Sequence, residues 1–339
     1  MILVYGRILL LKAFLKKIVP NVLISEYKKV LEPNRVLRDF FNDANQYKKA
    51  FNYNTIGTSE EGIKELLIFH SHSIEKGLSH PNFRDNFGKS ALLGLKKNLN
   101  EFNNKEMSKD CFEYQNAISV LKAYKNKHIS KHISTPFFDS LFDLKKIESG
   151  NDIAGTREHF NNSVNNMNFA SFQEFRTTQR EFSKNNVNIN IFKDVVKLSL
   201  KTPSVCNRQP WKVYVTDDKN KIASLLRLQG GFKGYELPPT LSLITVNREA
   251  FIGSHERNEP YVDGGLFLMN YVFSLTYFGL SSCILNSMLS EPNKVKVKDI
   301  LVISGSEVLI AFIAAGYPKD KVVVASSARK PVNDILKLR

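Results

Sequence analysis

The chain has 339 residues, of which 42% are hydrophobic and 24% charged, a composition that is ordinary for a folded globular protein. This length allows two domains, or one domain with a large extension. Its three cysteines are far apart in the sequence, so neither a disulfide framework nor a cysteine-based metal site is expected, and a reducing, cytoplasmic setting is favoured.

The formal net charge of +15 is concentrated near the start, where residues 1–50 hold ten Lys or Arg and four Asp or Glu. No arginine-rich run, zinc-finger spacing or RNA-binding aromatic motif accompanies this charge, so we expect no specific nucleic-acid partner. A diffuse positive field still favours anionic cofactors, nucleotides or lipid headgroups.

Residues 1–23 alternate apolar blocks with basic residues, among them Arg7, Lys12 and Lys16. Every apolar run is far shorter than the roughly 20 residues that cross a bilayer, and no signal-peptide core is present. Two interpretations stay open: a helix packed on the rest of the protein, which we favour, or a basic amphipathic helix in peripheral contact with a membrane.

Residues 26–127 have mostly helical periodicity, with few prolines. Within them, His70, His72 and Glu75 suggest a metal site at first sight, but on a helix the two histidines point about 200° apart. The favoured interpretation is a His72–Glu75 pair near a helix end, with Gly77 as the C-terminal stop.

A short aromatic helix is predicted at residues 137–142. Residues 148–170 are rich in Asn, Ser and Gly and predict a linker, so we place a domain boundary near residue 165. The expected organisation is a helical N-terminal extension of unknown role, residues 1–165, followed by a second domain, residues 166–339.

The second domain opens with a basic cluster at residues 174–182. Arg176 and Arg180 stand four positions apart with the hydroxyl side chains of Thr177 and Thr178 between them. Such a group can surround a dianionic phosphate with charge-assisted hydrogen bonds, although a solvated helix end has the same composition.

Residues 202–212 form the most unusual stretch of the chain, because they bring Pro203, Ser204, Asn207 and Gln209 together just before the only tryptophan. The flanking prolines discourage a helix and predict a rigid polar loop that leads into a strand. The alternative is a plain helix-to-strand turn without chemistry.

Later elements follow from periodicity. Residues 241–246 and 307–315 predict buried strands, and residues 261–277 predict a long, buried, apolar helix that Gly279 ends. Residues 280–287 predict a strand that runs into a loop at Leu285, Asn286 and Ser287.

The pattern P-S-x-x-N-x-Q-P-W at residues 203–211 resembles the signature loop of the FMN-dependent nitroreductase family. Three further matches occur in the order of that family: the R-x-T-x-R-x-F at residues 176–182, the G-Y-P at residues 316–318, and the closing basic pair before a proline at residues 329–331. The resemblance implies an α+β fold, a nitroreductase-like antiparallel sheet flanked by helices. It also implies that FMN is bound by Arg176, Thr178, Arg180, Pro203, Ser204, Asn207, Gln209, Leu285, Asn286, Ser287, Arg329 and Lys330.

The resemblance further implies NAD(P)H as hydride donor, a small-molecule acceptor, and two sites at a homodimer interface, with no dedicated catalytic acid or base. The family often carries an acidic residue and a glycine in the loop where Leu285, Asn286 and Ser287 stand, and their absence leaves the substrate and the rate open. We expect Arg176 and Arg329 to converge on one phosphate, with a crevice beside Ser204 and Asn207.

A competing interpretation is a non-catalytic nitroreductase-like scaffold or sensor in a membrane-adjacent assembly. The large basic extension favours it, and the H-x-I-E-K-G-L at residues 72–78 resembles extended nitroreductase-like proteins associated with bacterial surface-polysaccharide synthesis. Resemblance of fold alone does not decide between these functions.

Overall fold

The computed structural model describes residues 34–41, 43–45, 59–161, 164, 167–251 and 254–339. The predictions for residues 1–23 lie outside these ranges. Within them, no helix has the length and the apolar content that a membrane crossing requires.

Residues 34–41 and 43–45 are helical, and five further helices follow in the first half of the described chain, where the periodicity predicts mostly helix. They are α1 (Glu60–Leu78), α2 (Lys89–Asn104), α3 (Phe112–Ser130), α4 (Pro136–Leu141) and α5 (Leu144–Glu148). Helix α1 begins after Ser59, whose side-chain oxygen accepts a hydrogen bond from the N–H of Gly62, the usual N-cap arrangement. It packs against α2 and α3 around a core of its own.

Gly77 does not stop α1, which continues to Leu78, so that prediction was wrong. A Cβ atom at this position would lie 1.9 Å from the ring of Phe87. The glycine is therefore explained by close packing against an aromatic ring, a tertiary contact that local sequence does not reveal. The His72–Glu75 pair does form, with 3.6 Å between His72 Nδ1 and Glu75 Oε2.

The predicted linker at residues 148–170 contains a strand, β1 (Thr156–Phe160), so its description as a linker was wrong in this part. Its partner is β6 (Lys321–Ala325), near the other end of the chain, and the two strands run antiparallel. The strand forms because a segment distant in sequence supplies its backbone hydrogen-bond partners. The polar, weakly periodic sequence of residues 156–160 alone does not predict it. The boundary near residue 165 stays a prediction.

The second half is built on a four-stranded antiparallel sheet in the order β2-β3-β5-β4. Its strands are β2 (Trp211–Thr216), β3 (Thr240–Asn247), β4 (Ser281–Asn286) and β5 (Glu307–Gly316). The helices of this half are α6 (Phe169–Phe175), α7 (Ile191–Ser199), α8 (Lys219–Gln229), α9 (Glu259–Tyr277), α10 (Glu291–Leu301) and α11 (Val332–Ile335). The fold is α+β, an antiparallel sheet flanked by helices and preceded by a helical region, as the sequence predicted.

Each face of the sheet has its own core. Helices α7 and α9 cover one face, where Phe192, Phe267 and Tyr271 are buried, and helices α8 and α10 cover the other, where Leu225 and Val297 are buried. The sheet is thus buried on both faces, which explains the nearly continuous apolar sequence of β3 and β5.

Helix α9 ends at Tyr277 before Gly279, whose φ of 77° places it in the left-handed region, as predicted. The sequence predicts that α9 is buried on all sides, but in a single chain one stripe of its side chains is exposed. The exposed side chains are those of Tyr261, Val262, Leu266, Met269 and Tyr277.

The two ends of helix α9 lie beside different strands of the sheet. Its N-terminal part contacts the start of β2, since the Trp211 side-chain N–H donates to the C=O of Asp263, and its C-terminal end leads directly into β4. With 19 residues, the helix is about 28 Å long.

Candidate functional site

The basic cluster at residues 176–180 lies along the start of β4. Helix α6 ends at Phe175, and the chain then forms a single parallel bridge between Thr178 and Ser282. The N–H of Gln179 donates to the C=O of Ser282 at 3.0 Å. These backbone contacts hold the cluster beside the C-terminal end of α9.

Arg176 and Arg329 are brought together by the fold. Burial lowers the pKa of the Arg176 guanidinium, and repulsion by the nearby Arg329 lowers it further. In the ranges that the structure describes, no carboxylate forms an ion pair with either arginine. Arg329 donates a hydrogen bond to the C=O of Ser327 instead. Two neighbouring cations without a counter-ion can attract an anion, although each arginine lines a cavity of its own.

A cavity of about 340 Å³ lies beside Arg176. Its walls come from residues 175–177 on one side and from the α9-to-β4 connection, residues 276–281, on the other. Polar and apolar groups both line it, so it can hold an anionic group and part of an apolar ring.

Arg180 contains a buried polar atom without a partner. Its Nε is enclosed, yet no hydrogen-bond acceptor among the described residues reaches it. Because a buried donor without an acceptor costs about 1–3 kcal/mol, such an atom needs an explanation, and a bound ligand is one.

The loop at residues 203–209 lies at the opposite end of α9. Cys206, Asn207 and Gln209 all have left-handed φ values, of 49°, 54° and 50°. The Ser204 side-chain oxygen accepts a hydrogen bond from the N–H of Gln209 at 3.0 Å, and the Gln209 amide donates to Asn207 Oδ1 at 3.2 Å. A non-glycine residue in this region costs of order 1–3 kcal/mol, so surrounding contacts must hold the loop in shape.

Those contacts come from residues that the sequence analysis did not select. The carboxylate of Asp263, in α9, accepts hydrogen bonds from the N–H of Val205 at 3.2 and 3.3 Å. Burial raises the pKa of Asp263, while the Val205 hydrogen bond and the charge of Arg208 act against this rise. Arg208 is itself bound to Glu256 at 2.6 and 3.0 Å. In the sequence, the position of Asp263 as an acidic residue within the apolar helix α9 could have indicated a functional or structural role.

The end of β4 presents backbone rather than side chains. Leu285 is buried in the core, so only its backbone groups can reach a ligand. Asn286 is exposed, and its Oδ1 accepts a hydrogen bond from the N–H of Met288. The hydroxyl of Ser287 faces the C=O groups of Leu309 and Ile310, both at 2.8 Å.

Comparison with known proteins identifies the part of the chain that carries these loops. The model of the nitroreductase family matches residues 174–237. Similarity to the nitroreductase family is thus shown for residues 174–237. This segment includes both the basic cluster at residues 176–180 and the loop at residues 203–209. No curated protein matches the sequence.

Solved structures with a similar fold each align with about half of this chain. A nitroreductase-family protein from Streptococcus pneumoniae is 22% identical, with 51% of this chain and 100% of that chain covered and a TM-score of 0.43. A nitroreductase-like protein from Streptococcus mutans is 19% identical, with 50% of this chain and 97% of that chain covered and a TM-score of 0.45. An FMN-dependent nitroreductase from Clostridium difficile is 19% identical, with 49% of this chain and 93% of that chain covered and a TM-score of 0.39.

Outside the nitroreductase-family segment, Lys330 is placed differently from Arg329. Its Nζ lies 2.7 Å from Glu65 and 3.3 Å from Glu113, both in the helical half. The hydrogen bond to Glu65 is the main cause that raises the pKa of Lys330. A role of Lys330 in phosphate binding stays a prediction, since it requires release from these carboxylates.

The predicted site residues therefore fall into two groups within one chain. One group lies along β4, with Arg176, Thr178 and Arg180 beside the start of the strand, Arg329 near Arg176, and residues 285–287 at the other end of the strand. The loop at residues 203–209 contacts α9 at Asp263, about 21 Å along the helix from its C-terminal residue Tyr277. Among the described residues, the cavities that Arg176, Arg180 and Arg329 line include no residue of this loop.

Proposed function

We propose that the protein is an FMN-dependent oxidoreductase that passes hydride from NAD(P)H through bound flavin to a small-molecule acceptor. The observation that carries this proposal is that Arg329, from the opposite end of the second half, lies near enough to Arg176 for its charge to lower the Arg176 pKa, while neither arginine has a carboxylate partner among the described residues. The nitroreductase-family match at residues 174–237 supports it, because Arg176 and Arg180 lie inside that match.

The phosphate end of FMN fits the Arg176–Arg329 pair. A phosphate monoester carries close to two negative charges at neutral pH, so it relieves the repulsion that the two guanidinium groups exert on each other. Thr178, whose backbone bridges to Ser282, is the predicted hydroxyl donor, and Thr177 lines the cavity beside Arg176. Together these residues would bind and orient the phosphate.

The flavin ring fits the outer edge of β4. This strand stands at the end of the sheet order, and beyond the Thr178–Ser282 bridge no strand of the described chain pairs with its outer side. Backbone groups on this outer side, up to Leu285, can therefore hydrogen-bond the polar rim of the ring, and the buried Nε of Arg180 can donate to the same rim. The C=O of the neighbouring Asn286 already accepts a hydrogen bond from the Gln229 side-chain amide at 3.2 Å.

When bound, FMN supplies the hydride chemistry. The residues of this chain bind the phosphate, orient the ring and leave one ring face open to donor and acceptor. None of these side chains is assigned as a catalytic acid or base.

The loop at residues 203–209 can join this site only through a second copy of the chain. A two-fold axis perpendicular to α9 places the N-terminal end of one helix beside the C-terminal end of its partner, and thus the loop of one protomer beside Arg176 of the other. The exposed apolar stripe of α9 lies between these two ends, as such an interface requires. A homodimer with two sites is therefore part of the proposal.

The test is the absorption spectrum of the purified protein beside its Arg176→Ala and Arg329→Ala variants. The wild type should be yellow and should bleach with NADH or NADPH, whereas each variant should lose flavin, because a charge-assisted hydrogen bond contributes about 1.5–3 kcal/mol. Lys193→Ala, at an exposed lysine of α7 far from β4, is the control and should keep its flavin. A colourless wild type that refuses added FMN would instead favour a non-catalytic scaffold, and flavin retained in both arginine variants would contradict the phosphate assignment.

A further inference from the structure

The candidate site has another wall, which comes from the helical half. Near its C-terminal end, α1 contributes His72 and Glu75 to a cavity of about 230 Å³ that is also lined by Asn116 of α3 and by Arg329. Arg329 is one of the two arginines assigned to the phosphate. The cavity therefore joins the helical half directly to the candidate site.

A second contact lies one helical turn further on. Ser79, the residue that follows α1, lines a narrow crevice together with Thr178 and Arg180. Positions 72, 76 and 79 are spaced so that they share one face of a helix. Since His72 lies beside Arg329 and Ser79 lies beside Arg180, Lys76 stands on that face between the two arginines.

Lys76 adds an uncompensated charge at this place. It is half-buried, and no carboxylate of the described ranges forms an ion pair with it. Burial lowers the pKa of Lys76, and repulsion by Arg180 lowers it further. The neighbouring acid, Glu75, is already engaged, because Oε1 accepts the N–H of Gly155 at 3.0 Å and Oε2 faces His72.

A half-buried lysine with an arginine nearby and no carboxylate partner is unfavourable in the protein alone. The cost is recovered when an anion or a strong acceptor binds both cations. Nothing in the packing of the helical half requires this charge, since the core of that half is formed by the opposite face of α1, with Ile63, Leu67 and Ile74.

We propose that the helical half completes the flavin site and that Lys76 of α1 is a direct ligand of the bound flavin, between Arg329 and Arg180. The inference rests on the proposed function, because it takes FMN as the ligand. Its consequence is that the helical extension is part of the cofactor site rather than an appendage to it.

The experiment is a fluorescence titration of FMN and of riboflavin into the flavin-free full chain, for the wild type and for Lys76→Met, Lys76→Arg and Lys97→Met. Lys97 is an exposed lysine of α2 that serves as the control for the lost charge. Lys76→Met should raise the Kd for FMN about tenfold or more, as the loss of one charge-assisted contact predicts, while Lys76→Arg restores part of the affinity and Lys97→Met has no effect.

Riboflavin, which lacks the phosphate, tells where Lys76 makes its contact. An equal loss for both ligands assigns the contact to the ring, and a loss confined to FMN assigns it to the phosphate; either result supports Lys76 as a flavin ligand. Because Lys76 is repelled by Arg180, Lys76→Met should also leave the Tm of the flavin-free protein unchanged or higher.

Two other results would overturn the inference. An unchanged Kd in Lys76→Met shows that Lys76 is not a ligand, while the proposed function stands. A lower Tm of flavin-free Lys76→Met, with no rescue by Lys76→Arg, shows a structural role instead. If the wild type binds neither flavin, the proposed function fails and the inference fails with it.

Discussion

At the scale of single residues, Glu307 shows how the fold accommodates a buried charge. Its side chain is 1% exposed, and its carboxylate accepts hydrogen bonds from Lys212 at 2.7 Å, from Tyr214 at 3.0 Å and from Thr245. Burial alone would raise the pKa of Glu307, but the hydrogen bonds from Lys212, Thr245 and Tyr214 outweigh it, and the pKa is lowered. The residue thus ties β2, β3 and β5 together at the sheet end that carries the loop at residues 203–209.

The contribution of Glu307 to stability should depend on pH. Because its folded-state pKa lies below the ordinary value of 4.5, its stabilisation is complete above that pH and is lost as the pH falls through the folded-state pKa. Glu307→Gln should lower the free energy of unfolding by about 1–3 kcal/mol at pH 7, and the difference from wild type should shrink at pH 4 and below.

Urea unfolding at the two pH values measures this difference. The matched control is Glu158→Gln, which removes an exposed ion pair with Lys321 and should cost less than about 1 kcal/mol. A difference between Glu307→Gln and wild type that stays constant from pH 7 to pH 4 would contradict the assignment.

At the scale of elements, the two faces of α1 make different contacts, and the helical periodicity of its sequence does not show which partner each face has. One face packs on α2 and α3, and the other carries Lys76 and places His72 in a cavity with Arg329. The orientation of the helix depends on Gly77, where the ring of Phe87 occupies the space of a side chain. Phe87 in turn contacts the rings of Tyr124 and His128, so the contact extends into the core of the helical half.

Gly77→Ala should therefore destabilise the protein. Alanine has the higher helix propensity, by about 1 kcal/mol, but its Cβ would overlap Phe87 at 1.9 Å, and overpacking of a core costs about 1–3 kcal/mol. We expect a net loss in the free energy of unfolding, measured by urea denaturation. Gly305→Ala, where an added Cβ meets nothing within 4 Å, should stay within about 0.5 kcal/mol of the wild type. Equal stability of the two variants would refute the packing explanation.

At the scale of the whole molecule, the two groups of predicted site residues lie at opposite ends of α9. The stripe between them is apolar and exposed, and it includes Leu266, which is 48% exposed. A molecule that needs both groups for one ligand must therefore pair this stripe with that of a second copy. In this arrangement, flavin binding and dimer formation depend on each other.

Leu266→Glu should produce a monomer in analytical ultracentrifugation and should lose bound flavin, because it places a charge in the centre of the proposed apolar interface. Val295→Glu is the matched control, since Val295 is 56% exposed on α10, outside the stripe. It should remain a flavin-containing dimer. A wild type that binds flavin as a monomer would rule out this assembly.

Much of the second half could be predicted from sequence because its signals are local. The strands alternate or are continuously apolar, α9 has a glycine at its end, and the basic cluster and the loop at residues 203–209 each lie within a dozen residues. The helices of the first half follow from the same kind of periodicity. These are properties of neighbouring residues, and backbone geometry turns them into elements without help from the rest of the chain.

Only the tertiary structure decided which of these elements meet. Pairing of β1 with β6, the place of Gly77 against Phe87, the approach of Arg176 to Arg329 and the position of Lys76 beside Arg180 all depend on contacts between residues far apart in the chain. Residue spacing determines the face of a helix or strand, but packing of the two halves determines what that face touches. The sequence by itself thus specified the parts of the candidate site, and the fold specified that the helical extension lines it.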